Sequence, residues 1–241
     1  MPTPTPQASE LPSSVGLVAG QSADKDAAER FSNVKAVYDW IAPYYSVSSR
    51  LFHTTAHDCA LRLSGIRDGS RVLEVAIGTG ELFRKLIARN PAGHTVGVDF
   101  STEMAARTLR AATAKAPDAR SSCSSSDARS LPFADGSFDT VFVCFLLELL
   151  PPGGAVGALE EFRRVLAPDG RLALVLTGQD RNYFNAIYEQ CTRYAPSVWG
   201  RQIEREVPAL MRNLDLKIVQ EERTLQNGVP ARVLVAQSSR V

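Results

Sequence analysis

No apolar run in this 241-residue chain approaches the ~18–20 consecutive residues of a membrane span. The longest, Val141 to Leu150, is interrupted by Glu148 and suits a buried strand with its exit loop. The four cysteines, Cys59, Cys123, Cys144 and Cys191, stand far apart with no Cys-x-x-Cys pair, and histidine occurs three times. That scarcity argues against a zinc site or a disulfide framework and for reduced thiols. An excess of one charge is lacking too. With 27 basic and 26 acidic residues the net charge is +1, and no basic stripe suits DNA or RNA, so no nucleic-acid partner is expected. The first residues offer neither the basic nor the apolar region of a secretory signal, which points to a cytoplasmic address. No internal repeat is visible.

What the chain does contain is a hydrophobic fraction of 44%, enough for one well-buried domain with small appendages. Residues 1–24 are rich in Pro, Thr, Ser, Ala and Gly and read as a disordered tail. Phe31, Val34, Val37, Tyr38 and Ile41 then recur at helical spacing until Pro43, and a second helical stretch runs from Ser48 to Leu63. From Val72 onward, strand-like segments at 71–76, 94–98, 138–145 and 171–177 alternate with amphipathic stretches at 81–89, 101–114 and 155–166. Such alternation predicts a parallel sheet with helices on both faces. Completing the count needs a strand near 119–125, although its serine-rich sequence has poor β propensity. A helical segment over 180–212 carries Tyr183, Phe184, Tyr188, Tyr194 and Trp199. Two strands, at 216–219 and 231–235, flank a turn at 226–230 and predict an antiparallel edge.

Chemistry concentrates in two places. Strand 71–76 runs into Gly78-Thr79-Gly80, where two residues without Cβ let backbone approach a ligand, and Glu74 lies inside that strand. Nineteen residues after Gly80, Val96-Gly97-Val98 ends in Asp99, a carboxylate that can accept both hydroxyls of a ribose. Each feature also has a plain structural explanation: a tight strand-to-helix turn for the glycines, a helix N-cap for Asp99. Further on, Asp127 and Ala128 follow the third strand, where a carboxylate and a backbone N–H can read the edge of an adenine. Leu131-Pro132-Phe133 would add an apolar wall and a rigid turn.

Taken in order, Glu74 to Gly80, Asp99, Asp127-Ala128, Phe138-Asp139 and Leu166 to Gly170 resemble the class I S-adenosylmethionine-dependent methyltransferases. The resemblance is to the group typified by quinone-biosynthesis C-methyltransferases and phospholipid N-methyltransferases. It covers residues 30–178 well and the remainder more loosely. It implies a Rossmann-like, doubly wound α/β fold whose seven-stranded sheet is mostly parallel with an antiparallel last strand, under an N-terminal helical cap. Residues 25–241 would form the methyltransferase domain: cap 25–66, cofactor-binding core 67–178, and substrate-side helices and edge strands 179–241. The implied cofactor is S-adenosyl-L-methionine. Gly78, Thr79 and Gly80 would pack on its methionine part, Asp99 would hold the ribose, and Phe100 or Met104 would flank the adenine. Asp127 with Ala128 would read the adenine edge, and Cys144 matches a position near the sulfonium.

Two departures from the family pattern stand out. Ala76 replaces the first glycine of the Glu-x-Gly-x-Gly-x-Gly run, and Phe145 to Leu150 lacks the polar residues many relatives carry after strand four. The resemblance implies an enzyme moving a methyl group to a small lipophilic or aromatic acceptor, either a quinone precursor or a phospholipid headgroup. Methyl transfer requires a base only when the nucleophile must lose a proton, so no catalytic residue is assigned; Tyr44, Tyr45, His53 and Glu148 are the candidates. Arg193, Arg201, Arg205 and Arg212 allow peripheral contact with an anionic membrane or form a solvated helix face. Two alternatives remain open: a non-catalytic protein that binds S-adenosylmethionine, and an NAD-dependent oxidoreductase, though the latter lacks its third glycine.

Overall fold

A computed structural model describes residues 53–194 and 199–238. The expected tail, the helix over Phe31–Ile41 and most of the cap, including Tyr44 and Tyr45, lie outside these residues. The described part opens with α1 (Thr54–Ser64), which leads into β1 (Arg71–Val75), α2 (Glu81–Arg89), β2 (His94–Asp99), α3 (Thr102–Lys115) and β3 (Ser121–Ser125). Next come β4 (Phe138–Cys144), α4 (Gly154–Val165), β5 (Leu166–Thr177), α5 (Asn182–Tyr194), α6 (Val207–Asn213), β6 (Leu216–Gln226) and β7 (Val229–Ser238). The seven strands form one sheet in the order β3-β2-β1-β4-β5-β7-β6. β7 runs antiparallel to both β5 and β6 while the other pairings are parallel, so the expected sheet is present.

The alternation of side chains along the strands explains why both faces are covered. Leu73, Val75, Val141, Val143, Leu172, Leu174 and Leu176 point to one face and pack on Ala158, Leu159 and Phe162 of α4 and on Met211 of α6. Val72, Phe142, Ala173, Val175, Val233 and Val235 point to the other and meet Ala60 and Leu61 of α1 with Leu82 and Leu86 of α2. Near-continuous apolar strands of this kind belong to a sheet buried on both sides.

β3 forms despite its composition because an edge strand needs backbone pairing more than side-chain propensity. It pairs in parallel register with β2 from Thr95↔Ser121 to Asp99↔Ser125. Its Cys123 packs with Ile77, Phe83, Ile87, Ala105 and Ala112. At the other end, β6 and β7 are longer than their hydrophobic runs and close through a two-residue turn with Asn227 at φ 50° and Gly228 at φ 83°. These positive angles at Asn-Gly match the hairpin turn whose twist suits flanking strands. Within the expected helical segment 180–212, the described residues include α5 and most of α6. Around Gly200, at φ 65°, the chain packs against the backbone of Glu148.

Several motif residues prove to be structural. Asp139 lies at the amino end of β4, far along the strand from Cys144, and its carboxylate accepts from the Arg71 amide at 2.8 Å and the Arg71 guanidinium at 2.6 Å. Ala167 to Gly170 loop out of β5 between the pairs Phe138↔Leu166 and Thr140↔Arg171. Leu131 turns into the core beside α4, and the Arg164 guanidinium donates to the carbonyls of Leu131 and Phe133, so this segment braces α4.

Candidate active site

The strand order reverses between β1 and β4, and in such sheets the crevice beyond the carboxyl ends at that point is where ligands bind. A cleft of about 1030 Å³, its open mouth included, occupies this position. Its floor is Glu74 to Thr79 from β1 and the following turn. Asp99, Phe100 and Ser101 line one side with Ser126 and Ala128. Cys144, Phe145, Leu146, Leu149 and Leu150 line another, and His53, His57 and Glu81 close the end beneath α1.

The turn after β1 is held from both sides. The amides of Ala76 and Ile77 donate to the Val98 carbonyl at 2.8 and 3.2 Å. Asp99 Oδ2 accepts the Gly78 amide at 2.8 Å, and its Oδ1 accepts the Ser101 amide at 2.9 Å. Thr108 Oγ1 donates to the Gly78 carbonyl at 3.0 Å, and the Arg84 guanidinium donates to the Thr79 carbonyl at 2.9 Å. Ser101, not Asp99, caps α3, accepting the Met104 amide on its hydroxyl at 3.1 Å. The plain explanation offered for Asp99 therefore fails locally: the carboxylate ties two strand-end loops together at the cleft wall.

Of the residues singled out in the sequence, Glu74, Gly78, Thr79, Asp99, Phe100, Ala128, Cys144 and His53 line the cleft. Gly80, Met104, Asp127 and Glu148 do not. Gly80 sits at φ 70°, and a Cβ there would come within 2.4 Å of Thr108 Cγ2, so packing against α3 requires it to be glycine. Met104 is buried in α3. Asp127 directs its carboxylate to the Arg129 guanidinium at 2.7 Å, a pairing that holds its pKa below the ordinary range against the effect of burial. His57, Glu81, Ser101 and Ser126 line the cleft without having been singled out. His57 had a signal: it lies four residues after His53, hence on the same side of any helix passing through both.

Electrostatically the cleft is acidic. Glu74, Glu81 and Asp99 line it, and among the described residues no Lys or Arg does. Glu74 is 3% exposed and its Oε2 is enclosed without a hydrogen-bond partner among the described residues. Burial, reinforced by the charge of Asp99, pushes its pKa well above the ordinary carboxylate value. Glu81 behaves oppositely. Burial opposes its charge, but the neighbouring His57 imidazole, the Thr54 hydroxyl and Lys85 bring it down to about 2. His53 stacks on Phe145 with ring centres 4.2 Å apart, and burial lowers it to about 4. Cys144 is pushed well up by burial and by Glu74 and Glu148, which makes it a thiol and no nucleophile.

Glu148, a catalytic candidate from the sequence, instead joins the exit of β4 to β5. Its Oε1 accepts the Thr177 amide at 2.6 Å, and its carbonyl accepts the Arg201 amide at 2.7 Å. Burial raises its pKa from 4.5 to about 7. Its folded-state value lies above the unfolded one, so this contribution to stability is complete below about pH 4.5 and is lost as the pH rises through 7. Across that window the loss is about 3 kcal/mol. Glu148→Gln is expected to gain stability relative to the parent by up to about 3 kcal/mol between pH 5 and pH 8, measured by urea unfolding, while keeping turnover.

An acidic, partly apolar cleft at the switch point suits a cofactor carrying positive charge better than a pyrophosphate. Residues 72–170 match the family described as "Methyltransferase domain". The ubiquinone/menaquinone biosynthesis C-methyltransferase of Geotalea uraniireducens is 32% identical over 167 residues, covering 66% of this chain and 70% of that protein. The chain belongs to the class I S-adenosylmethionine-dependent methyltransferases. A demethylmenaquinone methyltransferase of Listeria welshimeri is 32% identical over 181 residues, covering 70% of this chain and 72% of its own length. Among solved structures, Haemonchus contortus phosphoethanolamine N-methyltransferase 2 in complex with S-adenosyl-L-methionine superposes with a TM-score of 0.62 at 16% identity. It covers 78% of this chain and 53% of that chain. YcgJ of Bacillus subtilis gives a TM-score of 0.65 at 18% identity over 78% of this chain and 100% of its own. The methyltransferase therefore uses S-adenosylmethionine, and the oxidoreductase and non-catalytic alternatives give way to this assignment.

The residues present fit that cofactor. Glu74 brings an unpaired buried carboxylate oxygen, and the lining carboxylates suit a ligand carrying an ammonium and a sulfonium. Ala76, where the family carries glycine, adopts φ 61°. A left-handed non-glycine residue costs about 1–2 kcal/mol. Ala76→Gly is expected to leave stability equal or raise it by up to about 1 kcal/mol, because relieved strain is partly offset by a freer unfolded chain. It is also expected to tighten S-adenosylhomocysteine a few-fold in calorimetry, since the residue lines the cleft.

Proposed function

We propose that this methyltransferase moves a methyl group to a ring carbon of a lipophilic, hydroxylated aromatic acceptor of the quinone-precursor type. The observation that carries the reading is the chemistry of the cleft wall after β4. Phe145, Leu146, Leu149 and Leu150 offer only apolar side chains, and no Lys or Arg among the described residues lines the cleft to meet a phosphate. A phospholipid headgroup would bring that phosphate; a prenylated ring would not. The C-methyltransferase and demethylmenaquinone methyltransferase relatives support the same class.

Within this reading the cofactor supplies a methyl group on a positively charged sulfur. Glu74 receives the ammonium of its methionine part, and Gly78 with Thr79 lies against that part. Asp99 accepts from the ribose while holding the Gly78 amide. Phe100 and Ala128 flank the adenine. Residues 67–178 hold the cofactor, and the segment from 179 onward serves the acceptor side. Holding donor and acceptor in line supplies roughly 7–11 kcal/mol of barrier reduction in favourable cases. Tyr183, Ile187 and Tyr194 are exposed on α5, which provides a face for peripheral contact with the lipid phase where such acceptors reside. Among the described residues no helix is long and apolar enough to cross a membrane.

The test is turnover with S-adenosylmethionine against 2-prenyl-1,4-naphthohydroquinone, kept reduced, and against phosphatidylethanolamine vesicles. Product mass and NMR should show a methyl group on the ring carbon of the first. Turnover of the phospholipid alone, or of neither, would overturn the acceptor assignment.

A further inference from the structure

The cofactor contacts proposed above leave without a role the end of the cleft beneath α1, where His53, His57 and Glu81 line it. His57 is 6% exposed, lines the cleft, and places Nδ1 3.8 Å from Glu81 Oε1; that nitrogen is enclosed and has no hydrogen-bond partner among the described residues. Glu81 is itself held firmly. Thr54 Oγ1 donates to its Oε1 at 2.7 Å, and Lys85 Nζ stands 3.5 Å from the same oxygen while bonding Asp58 at 2.6 Å. His53 lies over Phe145 on the other side, its ring centre 6.1 Å from that of His57. A cleft-facing imidazole backed by an anchored carboxylate is the arrangement of a general base and its orienting group. Base-to-orienter contacts are commonly long before substrate binds, so 3.8 Å is within reach of a bond.

We propose that His57 is the general base that deprotonates the acceptor's ring hydroxyl, with Glu81 as the positioning residue that fixes its tautomer. This rests on the ring-hydroxylated acceptor proposed above. Glu81 accepts a hydrogen bond from Nδ1–H, which leaves the lone pair of Nε2 for the cleft. The acceptor O–H bond breaks and its proton goes to Nε2. The electron pair left on oxygen raises the density at the adjacent ring carbon, which forms the new C–CH₃ bond. The methyl–sulfur bond breaks with its pair retained by sulfur. The ring carbon then loses its hydrogen as a proton to solvent, aromaticity returns, and His57 gives its proton back to the oxygen. The balance is one methyl group transferred and one proton released.

The choice of His57 over His53 follows from surroundings. Among the described residues, the titratable groups around His57 are His53 ahead of α1 and Glu81 of α2, with Lys85 behind Glu81 at 3.5 Å from its Oε1, and Glu74 of β1 and Cys144 of β4 lining the same cleft. Of the two imidazoles, His57 stands at ion-pair distance from a carboxylate, whereas His53 is packed flat against an aromatic ring.

The experiment compares the parent with His57→Gln and Glu81→Gln, using 2-prenyl-1,4-naphthohydroquinone as acceptor and S-adenosylhomocysteine calorimetry as a fold and cofactor control. His57→Gln is expected to lower kcat by about 10²–10⁴-fold with S-adenosylhomocysteine affinity within threefold. The parent's ionisation should also vanish from the kcat–pH profile, leaving a rate that follows the acceptor hydroxyl's own ionisation. Glu81→Gln should lower kcat less and shift that ionisation to lower pH. Independently of turnover, ¹⁵N spectra of the S-adenosylhomocysteine complex should show His57 protonated on Nδ1, with Nε2 perturbed on adding the naphthohydroquinone. Unchanged kcat and pH profile in His57→Gln would overturn the role, as would loss of S-adenosylhomocysteine affinity at retained kcat. If the parent itself turns over no hydroquinone while binding S-adenosylhomocysteine, the acceptor assignment fails. In that case an Nε2 unmoved by the probe removes the base role with it.

Discussion

Asp99→Ala is expected to weaken S-adenosylhomocysteine at least 100-fold in calorimetry, the largest single loss of affinity in the site. Two effects add. The carboxylate proposed to accept from the ribose disappears, and hydrogen bonds to a charged group each contribute about 1.5–3 kcal/mol. The Gly78 amide, 2.8 Å from Asp99 Oδ2, also loses its acceptor, so the turn proposed to carry the methionine part is released. Leaving one such amide unsatisfied costs about 1–3 kcal/mol of stability, visible as a lower melting temperature. Asp99→Asn separates the two effects. Its single carbonyl oxygen can serve either Gly78 or Ser101 but not both, which are held by different oxygens in the parent. An intermediate loss of roughly tenfold is expected. Affinity within threefold of the parent in Asp99→Ala would remove Asp99 from the cofactor site.

The sheet was legible because strand alternation and the switch between periods of 2 and 3.6 are strong signals, and the antiparallel end announced itself through Asn227-Gly228. β3 was weakly marked because an edge strand owes its existence to its neighbour's backbone, which serines do not disclose. In the site, linear motifs located the residues near strand ends but not their directions. Asp127 and Gly80 belong to the family pattern, yet Asp127 pairs with Arg129 and Gly80 clears Thr108. The Asp127–Arg129 pair is local, but spacing leaves open which way the side chain turns; the Gly80–Thr108 contact joins residues distant in sequence, which spacing cannot encode. His57 and Glu81 were missed for the same reason: they lie on different helices, 24 residues apart in sequence, and only the fold shows that they meet over the cleft.

Glu74, proposed above to receive the cofactor's ammonium, leads to the second large effect. In the free enzyme the carboxyl is buried, has an oxygen without a partner among the described residues, and lies near the charge of Asp99, so it keeps its proton far above the usual carboxylate range. An ammonium brought against it favours the charged form and lowers its pKa. Binding is therefore expected to release a proton wherever the pH lies below the free enzyme's raised Glu74 pKa. S-adenosylhomocysteine affinity should rise as the pH rises toward the free enzyme's Glu74 pKa and level off above it. Calorimetry in buffers of different ionisation enthalpy reads the released proton directly. Glu74→Gln keeps the size but abolishes the charge, so its affinity should fall about 30- to 100-fold and its proton release should disappear. The same change should leave the free protein equally stable or more stable above neutral pH, since a buried carboxyl with a raised pKa loses stability as the pH climbs toward that value. Weaker binding together with unreduced stability would mark Glu74 as a residue kept for the cofactor at a cost to the core. If proton release persists in Glu74→Gln, the proton comes from another group, and Glu74 is then no more than a buried member of β1.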